Sequence, residues 1–447
     1  MGANNTTTNT NNNNYSSSSS SSSSSSTLSS DNSKKLHIFL DCDPGNDDCI
    51  LLVMLLQLFK NYPNRLNIIG ISASYGNSSV QNTLKNLTSM INVLSMDKYD
   101  INIFSGAEEP MVSNEQSFFP TNIHGANGMS DLKELDKPNL AFCKGKITSK
   151  ELLRLFNEVK TNELTQNDKI IFISTGPFTL ISRFIIEKPD LKKLIDKFIV
   201  MGGVFENERG NCNSKMTGEF NIFNDPDAAN TLFMDPIMKQ KSIIFPLNIT
   251  HKAIFDQKQM KSFSESSRKD KEISELKKSF LKLIQKFSLL YTSSRDNEKH
   301  QFDKGPPMHD VLTAMPIIEY LIGNDNDFDH KINWEFKEID FMVEVEGNEI
   351  GKTHILTQNL NLKTLKTENE KENEKNKDNS NNLIDYKQES CVVLYNMNFN
   401  LFWEHFQLTF DQLDQENYES KRILQLSIYL IASLSVLVLG GILEKVL

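Results

Sequence analysis

The stretch LDCDPGNDD, residues 40–48, sets Asp41, Asp43, Asp47 and Asp48 where an apolar run meets a helical pattern. Carboxylates this close repel, and at least one would protonate unless a positive charge sits among them. A bound cation is the simplest remedy, and hard carboxylate oxygens favour Ca²⁺ or Mg²⁺ over zinc. Asp41 and Asp43 flank Cys42, so on a strand they point the same way. Pro44 and Gly45 force a turn, and Asp47 and Asp48 then open a helix, whose dipole favours negative charge at that end. One or two acids at a helix start are commonly just a cap, but four in one turn are not. An EF-hand is excluded because Gly45 falls at its third ligand position. An aspartyl-phosphate phosphatase or mutase is an alternative that would use Asp41 as nucleophile.

Three further groups carry chemistry. Met308-His309-Asp310-Val311 opens an apolar helical run after Gly305-Pro306-Pro307. An Asp there is usually a cap, but His309 adds a group able to give a proton near neutral pH. Glu219-Phe220-Asn221, followed by Asp225-Pro226, could grip sugar hydroxyls from one side. The segment NIHGANGM, residues 122–129, is a Gly-rich polar loop of the kind that forms mobile lids, or an ordinary surface loop.

The elements that must position these groups alternate. Apolar runs at 36–40, 66–73, 168–174, 197–201 and 242–247 read as strands, and the intervening runs 47–59, 80–94 and 178–186 as helices. Continuous apolar strands between helices predict an α/β fold: a mainly parallel sheet flanked by helices on both faces, with a Rossmann-type core. Ligands then bind beyond the carboxyl ends of the strands. Besides the acidic stretch, Tyr75-Gly76-Asn77, Thr175-Gly176-Pro177 and Met201-Gly202-Gly203 stand at such ends, which predicts one shared site. Extra strands are expected at 339–345 and 391–394, and a closing helix at 399–406.

Composition sets the outer bounds. The chain has 447 residues and a formal net charge of −10, with no basic stripe, which argues against a nucleic-acid partner. Residues 1–35 are almost wholly Asn, Thr and Ser; they are expected to be disordered and lack the pattern of a signal peptide. A polar insertion is expected at about 368–382, inside one large domain over 36–416. Five cysteines, an odd number without finger spacing, point to reduced thiols and a cytoplasmic catalytic domain. The uncharged run 423–443, behind Lys421 and Arg422, is long enough to span a membrane and is expected to anchor the domain, or else to pack as an apolar helix.

In order along the chain, DCDPGNDD (41–48), YGN (75–77), IHGANGM (123–129), STGP (174–177), VMGG (200–203), GEFNIFNDPDAA (218–229) and MHD (308–310) make this sequence resemble the inosine–uridine nucleoside hydrolase family. The resemblance implies hydrolysis of the N-glycosidic bond of ribonucleosides at a Ca²⁺ site, with the water activated by Asp43. By position, Asp43, Asp48 and Asp310 would hold calcium through side chains and Thr175 through its carbonyl, with the ribose 2′ and 3′ hydroxyls completing the shell. Asp47, Asn77, Glu219, Asn221 and Asn213 would bond the sugar; Asn211 in the same loop could substitute for Asn213. Met201 would lie against the ribose, and His124, His309 and Tyr291 towards the base, with His309 as proton donor. A homo-oligomer is also expected. The alternative to an enzyme is a nucleoside-binding membrane protein without turnover. The chain departs from the family pattern at Asn122, at Thr179-Leu180 and at Asn248-Ile249-Thr250.

Overall fold

The computed structural model describes residues 34–112, 118–266, 272–293, 304–322, 332–357, 361–365 and 382–446; side chains beyond 427 are not described. The serine-rich start and nearly all of the polar insertion therefore lie outside the described residues. Leu36–Cys42 forms β1, which is buried along its whole length. Its even-numbered residues join one core, with helix Asn46–Asn61, while Phe39 joins the other core on the opposite face. Burial on both faces is why the strand reads as an unbroken apolar run.

The parallel strands continue with β2 (Leu66–Ala73), β3 (Asn102–Ser105), β4 (Cys143–Lys146), β5 (Lys169–Ser174), β6 (Lys197–Met201) and β7 (Ser242–Phe245). Later come β8 (Glu335–Ile339), β9 (Phe341–Val343), β10 (Thr353–Ile355), β11 (Lys363–Thr364) and β12 (Cys391–Asn396). Ten of them form one sheet in the order β11-β8-β12-β7-β6-β5-β1-β2-β3-β4, while β9 and β10 pair separately. Pairing is parallel from β12 through to β4, and β8 and β11 add an antiparallel edge. β1 pairs with β2 on one side and β5 on the other. Successive crossovers thus leave β1 in opposite directions, and the crevice at its carboxyl end is where an open α/β sheet binds ligands.

Some expected elements shift. The strand expected at 339–345 is broken at Asp340: Ile339 ends β8 in the large sheet, and Phe341 starts β9 in the small one. The run 242–247 stops at Pro246, which cannot donate to the ladder, and Leu247–Thr250 turns into a short helix.

The closing helix is longer than 399–406, running from Phe399 to Val446. The expectation of a membrane anchor over 423–443 is corrected here. Among the described residues no helix is long and apolar enough to cross a membrane. The run continues, unbroken, a helix whose first half is docked on the domain through Leu401, Phe402, Phe406, Phe410 and Leu413. Most of the side chains of 423–443 lie outside the described residues. Phe410 packs edge-on against Phe263 and Phe280 and tilted against Phe406, at 4.8, 5.4 and 5.1 Å between ring centroids. Phe410→Ala should lower the unfolding free energy by about 3–5 kcal/mol, the usual range for emptying a buried aromatic site. Urea unfolding of the full chain measures it; a loss under about 1 kcal/mol would mean that this helix is not part of the core.

Candidate active site

The strand ends converge as the crossover geometry requires. β1 delivers Asp43, Gly45 caps the next helix, and Asp47 and Asp48 occupy its first turn. Asp48 Oδ2 accepts from Gly45 N at 3.0 Å, so this acid serves as part of the cap. After β2, Asn77 N donates to Asp43 Oδ2 at 2.7 Å, and Asn77 Nδ2 donates to Asp48 Oδ2 at 3.1 Å. After β5, the Thr175 hydroxyl donates to Asp48 Oδ1 at 2.7 Å. Asp310, opening the short turn Asp310–Ala314, donates its backbone N–H to Asp47 Oδ2 at 3.4 Å.

Four carboxylates, Asp43, Asp47, Asp48 and Asp310, are thereby buried together. Burial first, then mutual repulsion, pushes Asp43 and Asp310 well above the usual carboxylate range and Asp47 up to about 7. Burial raises Asp48 as well, against the hydrogen bonds that favour its charge. Oxygens of Asp47, Asp48 and Asp310 lie within 4.8 Å of one another, a spacing that could hold a metal ion. Asp43 Oδ1, although buried, has no hydrogen-bond partner among the described residues. An acceptor left bare in a core is costly, and a cation beside it removes the penalty. The donor set therefore fits a hard divalent ion.

A pocket opens above this floor. Asp47, Asn77, His124, Thr175, Met201, Glu219, Asn221, Tyr291, His309 and Asp310 all reach its wall, so most of the candidates share one cavity. Asp43 and Asp48 lie behind them, bonded to Asn77 and Thr175. Asn221 Nδ2 donates to the carbonyls of Thr175 and Met201 at 2.8 and 3.1 Å, which fixes the floor between β5 and β6. The Glu219 carboxylate accepts backbone N–H groups of Gly203, Asn221 and Ile222. His124 Nδ1 accepts from Asn46 N at 3.2 Å, which leaves the ring proton on Nε2. Burial drives its pKa down to about 3, so His124 presents a neutral N–H.

Asn213 is the candidate the structure does not bring to the wall. Its backbone is left-handed, at φ 62°, a conformation Asn tolerates. Its side chain closes its own loop, accepting from Lys215 N and Thr217 N and donating to the Ile350 carbonyl. Asn211 lines the pocket instead, with a buried Oδ1 that has no partner among the described residues. Phe287, which sequence reasoning missed, also lines the pocket and packs between His124, tilted against it at 5.6 Å, and Tyr291, edge-on at 5.7 Å. Its signal was the four-residue spacing to Tyr291 on helix Glu275–Ser293. Asp41 stays off the pocket wall; its Oδ1 is held by the hydroxyls of Ser72 and Ser74. Those two bonds engage one carboxylate oxygen of the residue that a phosphatase or mutase would use as nucleophile.

The family model for inosine–uridine preferring nucleoside hydrolases matches residues 38–404. The chain belongs to that family. Uridine nucleosidase of Saccharomyces cerevisiae is 36% identical over 286 residues, 64% of this chain and 77% of that protein. The pyrimidine-specific ribonucleoside hydrolase RihA of Escherichia coli is 33% identical over 218 residues, 49% of this chain and 62% of that one. A purine-preferring ribonucleoside hydrolase from Gardnerella vaginalis shares the fold at 20% identity with a TM-score of 0.58, over 85% of this chain and 99% of that one. This nucleoside hydrolase is therefore an enzyme that acts on ribonucleosides.

The acid cluster of the nucleoside hydrolase depends on Gly76. A Cβ at that position would collide with the Asp43 carboxylate and stand 2.8 Å from Pro177 Cδ. Gly76→Ala should fold but displace Asp43, lowering kcat by roughly 10²-fold, as misplacement by an ångström does. Circular dichroism and steady-state turnover check it; wild-type turnover would show that the site tolerates Asp43 elsewhere.

Proposed function

We propose that this nucleoside hydrolase cleaves the N-glycosidic bond of ribonucleosides to ribose and free base around a Ca²⁺ ion held by Asp43, Asp48, Asp310 and the backbone carbonyl of Thr175. The observation that supports it is the bare, buried Asp43 Oδ1 beside three further buried acids. All four ligands offer oxygen, which suits calcium. When bound, the ion supplies the charge that neutralises the acids, grips the ribose 2′ and 3′ hydroxyls and makes a water easier to deprotonate.

The chain's own residues do the rest. Asp43 takes the proton of the attacking water. Asp47, Asn77, Glu219 and Asn221 bond the sugar, with Asn211 in the place expected for Asn213. Met201 lies against the ribose. Breaking C1′–N leaves positive charge on the sugar, which nearby carboxylates favour, as in glycoside hydrolysis. The base leaves with negative charge, and His309 gives it a proton, while His124 and Tyr291 line its place. Uridine is the first substrate to try, because the yeast relative is named a uridine nucleosidase.

Release of free base from uridine by the purified full chain tests the activity. Asp43→Ala should abolish it. His309→Ala should lower kcat by about 10²–10⁴-fold, the scale of general acid catalysis. The same variant should retain most turnover of p-nitrophenyl riboside, whose leaving group needs no proton. Equal losses on both substrates would remove His309 from the proton-donor role.

A further inference from the structure

A second histidine stands behind His309. His251 follows the short helix Leu247–Thr250, and its ring meets that of His309 edge-on, with centroids 5.6 Å apart and planes at 61°. His251 Nδ1 lies 2.9 Å from Glu208 Oε1. His309 Nδ1 is 2.8 Å from the Thr250 hydroxyl. Neither His251 nor Glu208 is on the pocket wall, whereas His309 is.

Glu208 comes from a different loop, 43 residues earlier in the chain, and that loop is clamped in place. Asn248 Oδ1 accepts from Phe205 N and Asn248 Nδ2 donates to Phe205 O, both at 2.9 Å. Only an amide can make both bonds; the Asp that the family pattern carries there could not donate. Glu208 N then donates to Phe205 O at 3.2 Å. The departure at Asn248 thus ties the loop bearing Glu208 to the helix bearing Thr250 and His251.

We propose that Glu208 and His251 are positioning residues that hold the His309 ring in the orientation its proton transfer needs. The proposal rests on His309 being the proton donor. With Nδ1 engaged by Thr250, the proton for the base comes from Nε2, and the bond to Thr250 opposes rotation of the ring about its bond to Cβ. The edge of His251 blocks that rotation, and the Glu208 carboxylate fixes the His251 ring in turn. A carboxylate–imidazole pair commonly sets ring orientation in this way, and loss of orientation costs rate without loss of binding. Neither residue touches the substrate.

The test is steady-state turnover of uridine and of p-nitrophenyl riboside by the full-length His251→Phe, Glu208→Ala and Glu208→Gln variants, with His309→Ala alongside. His251→Phe keeps ring bulk but loses the bond to Glu208. Glu208→Ala alters a side chain that is 24% exposed, and circular dichroism checks that the variant folds. Both should lower kcat on uridine by roughly 10-fold, a fraction of the whole general-acid effect, with KM and p-nitrophenyl riboside turnover within about 2-fold of wild type. Glu208→Gln keeps an oxygen acceptor for His251 and should recover most of the loss. Equal losses on both substrates, or no loss on either, would overturn the positioning role. If His309→Ala alone spares the p-nitrophenyl substrate, only the positioning role falls. If His309→Ala loses both equally, the proton-donor assignment falls and the positioning role with it.

Discussion

Mutual repulsion among buried carboxylates is the constraint on which the rest of this molecule depends. Asp43, Asp47, Asp48 and Asp310 converge from β1, the helix after it and a turn some 260 residues later. Such a cluster is tolerable only if neighbours hold each acid in place and positive charge enters between them. The sheet order supplies the first condition. Because β1 lies between β2 and β5, Asn77 and Thr175 arrive from opposite sides to bond Asp43 and Asp48. The second condition is one that a hard divalent cation could meet, since the donors there are oxygens.

The same geometry separates the jobs of the pocket walls. Asn77, Thr175 and Met201, at the ends of β2, β5 and β6, and Glu219 and Asn221 line one side of the pocket. These rigid elements hold atoms closely in place. The base side is different: His124, Phe287 and Tyr291 come from a loop turn and from helix Glu275–Ser293. That helix packs against the C-terminal helix through the buried Lys277, whose Nζ lies 2.7 Å from Asp411 Oδ1. The long closing helix is thereby part of the support of the base wall.

Much of this was legible in the sequence. DCDPGNDD is contiguous, so its turn and its charge could be read without tertiary knowledge, and the polar turns after β2, β5 and β6 marked the shared crevice. What was not legible depended on contacts between distant residues. Asn213 kept the family spacing to Glu219, yet its side chain is spent on its own loop, and Asn211 takes the wall. Glu208 and His251 are 43 residues apart, with nothing in either neighbourhood to announce a pair. The short strands β3 and β4, of four residues each, were too brief to show a period. The apolar run 423–443 suggested a span on composition alone. Composition cannot show that the run belongs to a helix already committed to the domain through Phe402, Phe406 and Phe410.

The most direct measurement is a calorimetric titration of Ca²⁺ into the chelator-treated full chain, with the melting temperature followed in parallel. A cation that binds only the folded acid cluster must raise stability as its concentration exceeds its dissociation constant. Saturable binding of one ion per chain and a rising Tm are expected, with loss of both in Asp48→Asn and Asp310→Asn. No binding heat, an unchanged Tm and full uridine turnover after chelation would contradict the cation site.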